Sequence, residues 1–318
     1  MLSLVVMESE KELEEMESAD RITDRETMRK IIHRMMPVWE MLGKDNILRD
    51  FQRLLHDSDS QNETVHEHAI QIMEWLKILI EETKKICHIP VIASINCYSD
   101  SEWVDFATMM EKAGADALEI NILSLQTDKD YTPGSFEQRH IDILCHIKKV
   151  VKIPVIMKLG SNLTNPVALI NQLYANGAAA VVLFNRFYQT DINIDTMAFT
   201  SANVMSTPNE LPDRLRWTAI ASAAVPRLDY AVSGGVHCGK GVIKSILAGA
   251  AAVEVCSVIY QYGAKEIENM KKELSEWMDE KSYESLSQFK GKMNAESAGE
   301  INPFERTQFM RYYSNREE

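Results

Sequence analysis

A proline-started apolar run occurs twice in this chain and restricts its fold more than any other feature. His88-Ile89-Pro90-Val91-Ile92-Ala93-Ser94-Ile95-Asn96 is echoed by Lys152-Ile153-Pro154-Val155-Ile156-Met157-Lys158-Leu159-Gly160. Proline at the first position of a strand removes no ladder hydrogen bond. Runs that are apolar throughout, rather than alternating, belong to strands covered on both faces, as in parallel sheets. A second echo interlocks with the first. Ala113-Gly114-Ala115-Asp116-Ala117-Leu118-Glu119-Ile120-Asn121, the segment from Asn176-Gly177 to Phe184-Asn185, and the segment from Ala248-Gly249 to Val255-Cys256 share one pattern. In each, a glycine ends an amphipathic helix and a small-residue turn leads into a buried strand.

The order that follows is strand 90–95, helix 101–113, strand 116–121, helix 136–150, strand 154–159, helix 166–176, strand 179–184, helix 213–223, strand 229–233, helix 240–248, strand 252–257 and helix 261–278. Strand and helix units in such succession predict an α/β protein of the (β/α)8 TIM-barrel class. An open doubly wound sheet would carry G-x-G-x-x-G after its first strand, and the sequence has none. Two barrel strands should precede residue 90. Residues 1–7 offer one residual strand, and a helical stretch from 9 to 85 takes the remaining place, so the N-terminal strands are expected to be truncated or replaced by helix. The domain reading is a divergent helical segment over 1–60, a barrel over 61–285 and an extension over 286–318 that wraps it.

Composition excludes several classes of function. The 318 residues carry a formal net charge of −13, which disfavours a nucleic-acid binder or a partner of anionic membranes. No apolar run approaches the ~20 residues that span a bilayer. Five cysteines without CxxC or zinc-like spacing read as reduced thiols in a cytoplasm. No metal site is expected: residues two apart, as in His66-Glu67-His68, do not share a helix face.

Active sites of such barrels lie at the C-terminal ends of the strands. The polar residues there are Ser94 and Asn96, Asn121 and Ser124, Lys158 and Asn162, Asn185, Ser233-Gly234-Gly235, and Cys256-Ser257. Gly234-Gly235 and Cys256-Ser257 fall where barrels build phosphate sites from backbone N–H groups, although Gly234-Gly235 also reads as a tight turn. Lys158 closes an apolar strand and must meet a partner, because an unpaired buried ammonium is costly.

The ordered set Ile89 to Asn121, Pro154 to Leu159, Asn185 and Ser233-Gly234-Gly235-Val236 resembles the dihydroorotate dehydrogenase family over residues 62 to 260. Phe289 to Asn294 and Phe304 to Phe309 resemble its bacterial dihydroorotate dehydrogenase-like branch. The resemblance implies an FMN-dependent oxidoreductase of pyrimidine biosynthesis that acts on a CH–CH bond of dihydroorotate or a related cyclic amide. It implies Ser124 as catalytic base and Asn121 and Asn185 at the substrate. Ser94, Lys158, Gly234, Gly235, Cys256 and Ser257 would hold the FMN. Three departures accompany it. Leu125-Gln126-Thr127 stands where the family has Cys-Pro-Asn, the first strand has no counterpart, and Met7-Glu8-Ser9 places an acid where a lysine is usual. Two rivals therefore stand beside the enzyme reading: a degenerate, non-catalytic barrel that binds FMN weakly or not at all, and an aldolase-like lyase using Lys158 as a Schiff base. The expected partners are a small-molecule substrate, an electron acceptor of unspecified kind and a second copy of the chain in a homodimer.

Overall fold

The computed structural model describes residues 78–298 apart from 79, 82, 87, 97–99 and 188, together with 304 and 305. The expected residual strand at 1–7, the helical stretch before residue 78, His66-Glu67-His68, Glu8 and most of the segment after 298 lie outside the described residues. Two compact units divide the chain, one formed by residues 1–157 and 176–178, the other by 158–175 and 179–318.

In the first unit, β1 (Ile92–Ile95) runs parallel to β2 (Ala117–Ile122), with Ile92 opposite Ala117 and Ser94 opposite Glu119. Between them lies α1 (Asp100–Lys112), which packs on both strands and buries Trp103, Phe106, Ala107 and Met110. Gly114 then turns the chain at φ 95°, so that Asp116 N–H reaches Val91 O at 2.8 Å and β2 enters the ladder. Asp116 accepts hydrogen bonds from Lys84 and from Val91 N, and these hold its carboxyl below the usual carboxylate range. Helix α2 (Ser135–Lys148) follows and contacts α1.

His140 on α2 is wholly buried. Its Nδ1–H donates to Phe136 O at 2.7 Å, and Nε2 has no partner among the described residues. Desolvation lowers its pKa from 6.5, so the imidazole is held neutral.

Strand β3 (Val155–Gly160) crosses the boundary between the units after Met157. The second unit continues through α3 (Pro166–Ala175) to β4 (Ala180–Asn185), which pairs in parallel with β7 (Asp229–Ser233), and β7 pairs in parallel with β8 (Ala252–Glu254). Inserted between β4 and β7 is an antiparallel hairpin of β5 (Thr190–Asn193) and β6 (Ala198–Ser201), every residue of which is exposed. Sequence patterning did not reveal this hairpin. After it come a 3₁₀ turn at Pro208–Glu210 and α4 (Leu211–Ala224), which packs on β4 and β7. Helix α5 (Gly239–Ala248) ends at Gly249, with φ 119°, and lies against α4.

Two expected boundaries are corrected. β8 stops at Glu254 rather than 257, because Cys256 already occupies the N-cap position of a short helix, α6 (Ser257–Tyr262). The helix expected over 261–278 is split, since Gly263 at φ 82° ends α6 before α7 (Lys265–Glu280) begins. Met270 is the one buried residue of α7, and the charged residues of that helix face solvent apart from the half-buried Glu266 and Glu273. Beyond α7, Phe289 is fully buried against Trp277 and Tyr283. Gly291 N and Met293 N donate to Ile246 O and Leu247 O at the end of α5, and Ala295 N donates to Ala219 O of α4.

His140 gives the fold a testable pH dependence. Its folded pKa is depressed, so the unfolded chain takes up the proton more readily than the folded one. Stability from this residue is fully present above about pH 6.5 and is lost as the pH falls toward the depressed value. Urea midpoints should therefore decline between about pH 7 and pH 5 in the wild type and stay flatter in His140→Leu.

Candidate functional site

Ser94, Asn121 and Ser124 all belong to the first unit. Ser94, buried on β1, donates its hydroxyl proton to Glu119 Oε1 at 2.6 Å. Their pairing follows from the register, in which the two residues face each other across the ladder. Asn121 lies near the end of β2 and is partly buried. Ser124 follows in the loop, where its Oγ accepts a hydrogen bond from Gln126 Nε2 at 3.2 Å. An amide donor at that oxygen favours its deprotonated form.

In the second unit Lys158 is only 4% exposed, and its ammonium meets Glu254 Oε2 at 2.7 Å. Glu254 closes β8 beside Ser233 in the register with β7, and a third of its side chain is exposed. The pair satisfies the charge that the sequence placed at the end of an apolar strand.

Asn185, the last residue of β4, turns its Oδ1 to Arg186 N at 2.7 Å. Arg186 then staples the excursion that follows. Its Nη1 donates to Val204 O at 2.7 Å, its Nη2 to Asn203 O at 2.6 Å, and its Nε to Glu210 at 3.2 Å. Glu210 also completes a capping box with Thr207 and faces Arg214. These contacts deliver Ser206 to the end of the unit, where its N–H and hydroxyl both meet Ser257 Oγ and its oxygen meets His237 Nε2.

Gly234 and Gly235 have φ 98° and 79°, conformations that side chains rarely adopt. A Cβ at Gly234 would lie 3.2 Å from Arg214 Nε, and one at Gly235 would lie 2.4 Å from Leu211 N. Gly235 is therefore required by the close approach of the α4 backbone, and Gly234 by its positive φ, whatever else the turn binds. Cys256 is at the N-cap position of α6 without a side-chain capping bond.

Of the residues expected from sequence, Ser94, Asn121 and Ser124 belong to the first unit, and Lys158, Asn185, Gly234, Gly235, Cys256 and Ser257 to the second. Glu119, Glu254, Ser206, His237 and Arg186 were missed. A signal existed for the two glutamates, each of which interrupts an apolar run at the same place in the repeat, Ala-Leu-Glu-Ile and Ala-Val-Glu-Val. None existed for Ser206 and His237, which meet only through the tertiary fold. Among the described residues no cluster of three or more His, Cys, Asp or Glu could hold a metal ion, and no helix is long and apolar enough to cross a membrane.

A family model described as dihydroorotate dehydrogenase matches residues 52–278. The chain belongs to the dihydroorotate dehydrogenase family. It is a family of flavin-dependent oxidoreductases that act on a CH–CH bond in pyrimidine biosynthesis, with a TIM-barrel fold, as the sequence led us to expect. A protein of Thermoplasma volcanium named dihydroorotate dehydrogenase B (NAD(+)), catalytic subunit, is 30% identical over 207 residues, 64% of this chain and 67% of that one. The protein of the same name from Anoxybacillus flavithermus is 28% identical over 211 residues, 64% of this chain and 66% of that one. An Escherichia coli subunit of NAD-dependent dihydropyrimidine dehydrogenase is 22% identical over 218 residues, 64% of this chain and 53% of that one. The chain thus spans about two thirds of the first two relatives and about half of the third.

The glycine turn supplies a direct test of this geometry. Gly235→Ala forces a methyl group into backbone rather than into a flexible side chain. It should destabilise the protein by about 2–4 kcal/mol in urea unfolding.

Proposed function

We propose that this chain is the FMN-dependent oxidoreductase its family suggests, oxidising dihydroorotate or a related cyclic amide. The observation that carries the reading is the buried Lys158 ammonium, paired with Glu254 in the same unit as the Gly234-Gly235 turn and Ser257. A cation, a hydroxyl donor and a glycine turn fit a planar ring bearing a phosphate, and they give no reason to expect a metal. Gly234, Gly235, Cys256 and Ser257 would hold the phosphate, with Ser94 and Lys158 serving the ring.

When bound, FMN supplies the acceptor for the hydride leaving one carbon of the substrate. Ser124 takes the proton from the adjacent carbon, so that one C–H bond is lost from each and a C=C bond forms. A serine hydroxyl is a weak base, so Ser124 passes its own proton to solvent at its partly exposed edge as it takes the one from carbon, and the Gln126 amide at its oxygen stabilises the negative charge of the deprotonated form. Asn121 and Asn185 orient the polar edges of the substrate. Lys158 opposes the negative charge that reaches the ring, and Glu254 tempers the strength of that field.

The named B-type relatives are catalytic subunits linked to NAD(+). Their names support an electron-transfer partner for this chain as well. No cysteine cluster among the described residues offers an iron–sulfur relay. A cytoplasmic location, a homodimeric core and a flavin-binding barrel over residues 61–285 with its extension over 286–318 belong to the same reading.

A visible absorption spectrum with identification of the released cofactor tests the proposal. A flavin spectrum, FMN in the released fraction and bleaching by dihydroorotate under anaerobic conditions are expected. A colourless protein that takes up no added FMN would favour the degenerate barrel. Ser124→Ala should keep its flavin and slow bleaching by about 10²-fold or more, the usual worth of a positioned base.

A further inference from the structure

Ser257 Oγ is the receiving end of a short chain of hydrogen bonds. It accepts from Ser206 N at 2.9 Å and from Ser206 Oγ at 3.0 Å. Ser206 Oγ in turn lies 3.1 Å from His237 Nε2. A hydroxyl oxygen has two lone pairs and one proton. With both lone pairs engaged, the remaining hydrogen-bonding capacity of Ser257 is its own O–H. No acceptor for that proton is found among the described residues.

The direction of the chain is set at its far end. With Nε2 protonated, His237 donates to Ser206, Ser206 donates to Ser257, and Ser257 donates onward. Ser206, in the middle of the chain, is almost fully buried, and Ser257 is partly exposed, so a ligand can reach the hydroxyl at the donating end. Arg186 and Glu210 fix the segment that carries Ser206, and the glycine turn two residues earlier fixes His237. The three side chains come from three separate segments of one unit, and none of them is needed to close a helix or a strand ladder.

We infer that Ser206 and His237 are positioning residues that aim the Ser257 hydroxyl proton at an anionic oxygen of a phosphate monoester. The inference rests on the flavin reading above, which already places a phosphate at Ser257, and adds the two residues that orient that hydroxyl. Neither residue touches the phosphate. Together they convert a freely rotating hydroxyl into a directed donor. A hydrogen bond to a charged acceptor of this kind is worth about ten- to a hundredfold in affinity.

The experiment compares FMN with riboflavin, which has the same ring and no phosphate. Dissociation constants for both are measured by flavin fluorescence on the full-length protein stripped of flavin, with inorganic phosphate as competitor in a third arm. Wild type should prefer FMN. Ser206→Ala should weaken FMN about tenfold or more and leave riboflavin unchanged. His237→Phe should act in the same direction, and His237→Gln, which keeps an N–H donor, should restore most of the preference. Inorganic phosphate should weaken FMN binding to the wild type and do so less effectively in Ser206→Ala.

Equal losses for FMN and riboflavin would show a merely structural role and overturn the inference, as would variants that lose neither. A wild-type protein that binds both flavins equally well overturns the phosphate relay and leaves the flavin reading standing. One that binds neither overturns the flavin reading, and the relay with it.

Discussion

A lysine ammonium sealed inside a sheet must be given a counter-charge, and much of the second unit is arranged around that requirement. Lys158 leaves β3 almost without solvent, and Glu254 reaches it from the end of β8. The ladder between β7 and β8 sets the height of Glu254 by placing it opposite Ser233. β8 can be short because its task ends once Glu254 is in place, and the chain turns at once through Cys256 into α6. Buried ion pairs contribute little net stability, and well-packed apolar residues often serve as well or better. A pair kept at the end of parallel strands therefore adds little to folding and leaves a charged, hydrogen-bonding group at the strand ends.

Around this pair, the segment joining β4 to α4 does the placing. The fork of Arg186 grips two carbonyls and one carboxylate, which anchors the return of the hairpin excursion although the hairpin itself packs on nothing among its exposed residues. The glycine turn after β7 then lets the start of α4 approach until backbone meets backbone. Ser206, His237 and Ser257 come into reach of one another as a result of these two local arrangements.

How much of this was legible follows from the range of each cause. Strands expected at 116–121 and 179–184 are found at Ala117–Ile122 and Ala180–Asn185, because the glycine that precedes each acts within a few residues. The helix expected at 136–150 is found at Ser135–Lys148. The hairpin was missed: Ile192 opposes Phe199 across it, but every residue from Thr190 to Ser201 is exposed, so this short apolar pair read as part of a loop. The expected continuous helix after 261 failed at Gly263, where a single left-handed residue outweighed the periodicity around it. In the candidate site, Lys158 was legible because a charge in an apolar run must be satisfied. The identity of its partner was not, because pairing with Glu254 depends on how distant strands are registered. Glu119 beside Ser94 is the same case on a smaller scale.

The segment after α7 has a consequence for how the protein is made. Gly291, Met293 and Ala295 donate to the last carbonyls of α5 and to α4, and Phe289 fills a pocket beside Trp277 and Tyr283. Helices otherwise end with unsatisfied carbonyls. Here the groups that satisfy them are translated long after the helices themselves. During synthesis the second unit must wait, with the end of α5 open, until residue 293 has cleared the ribosome, and only then does it close.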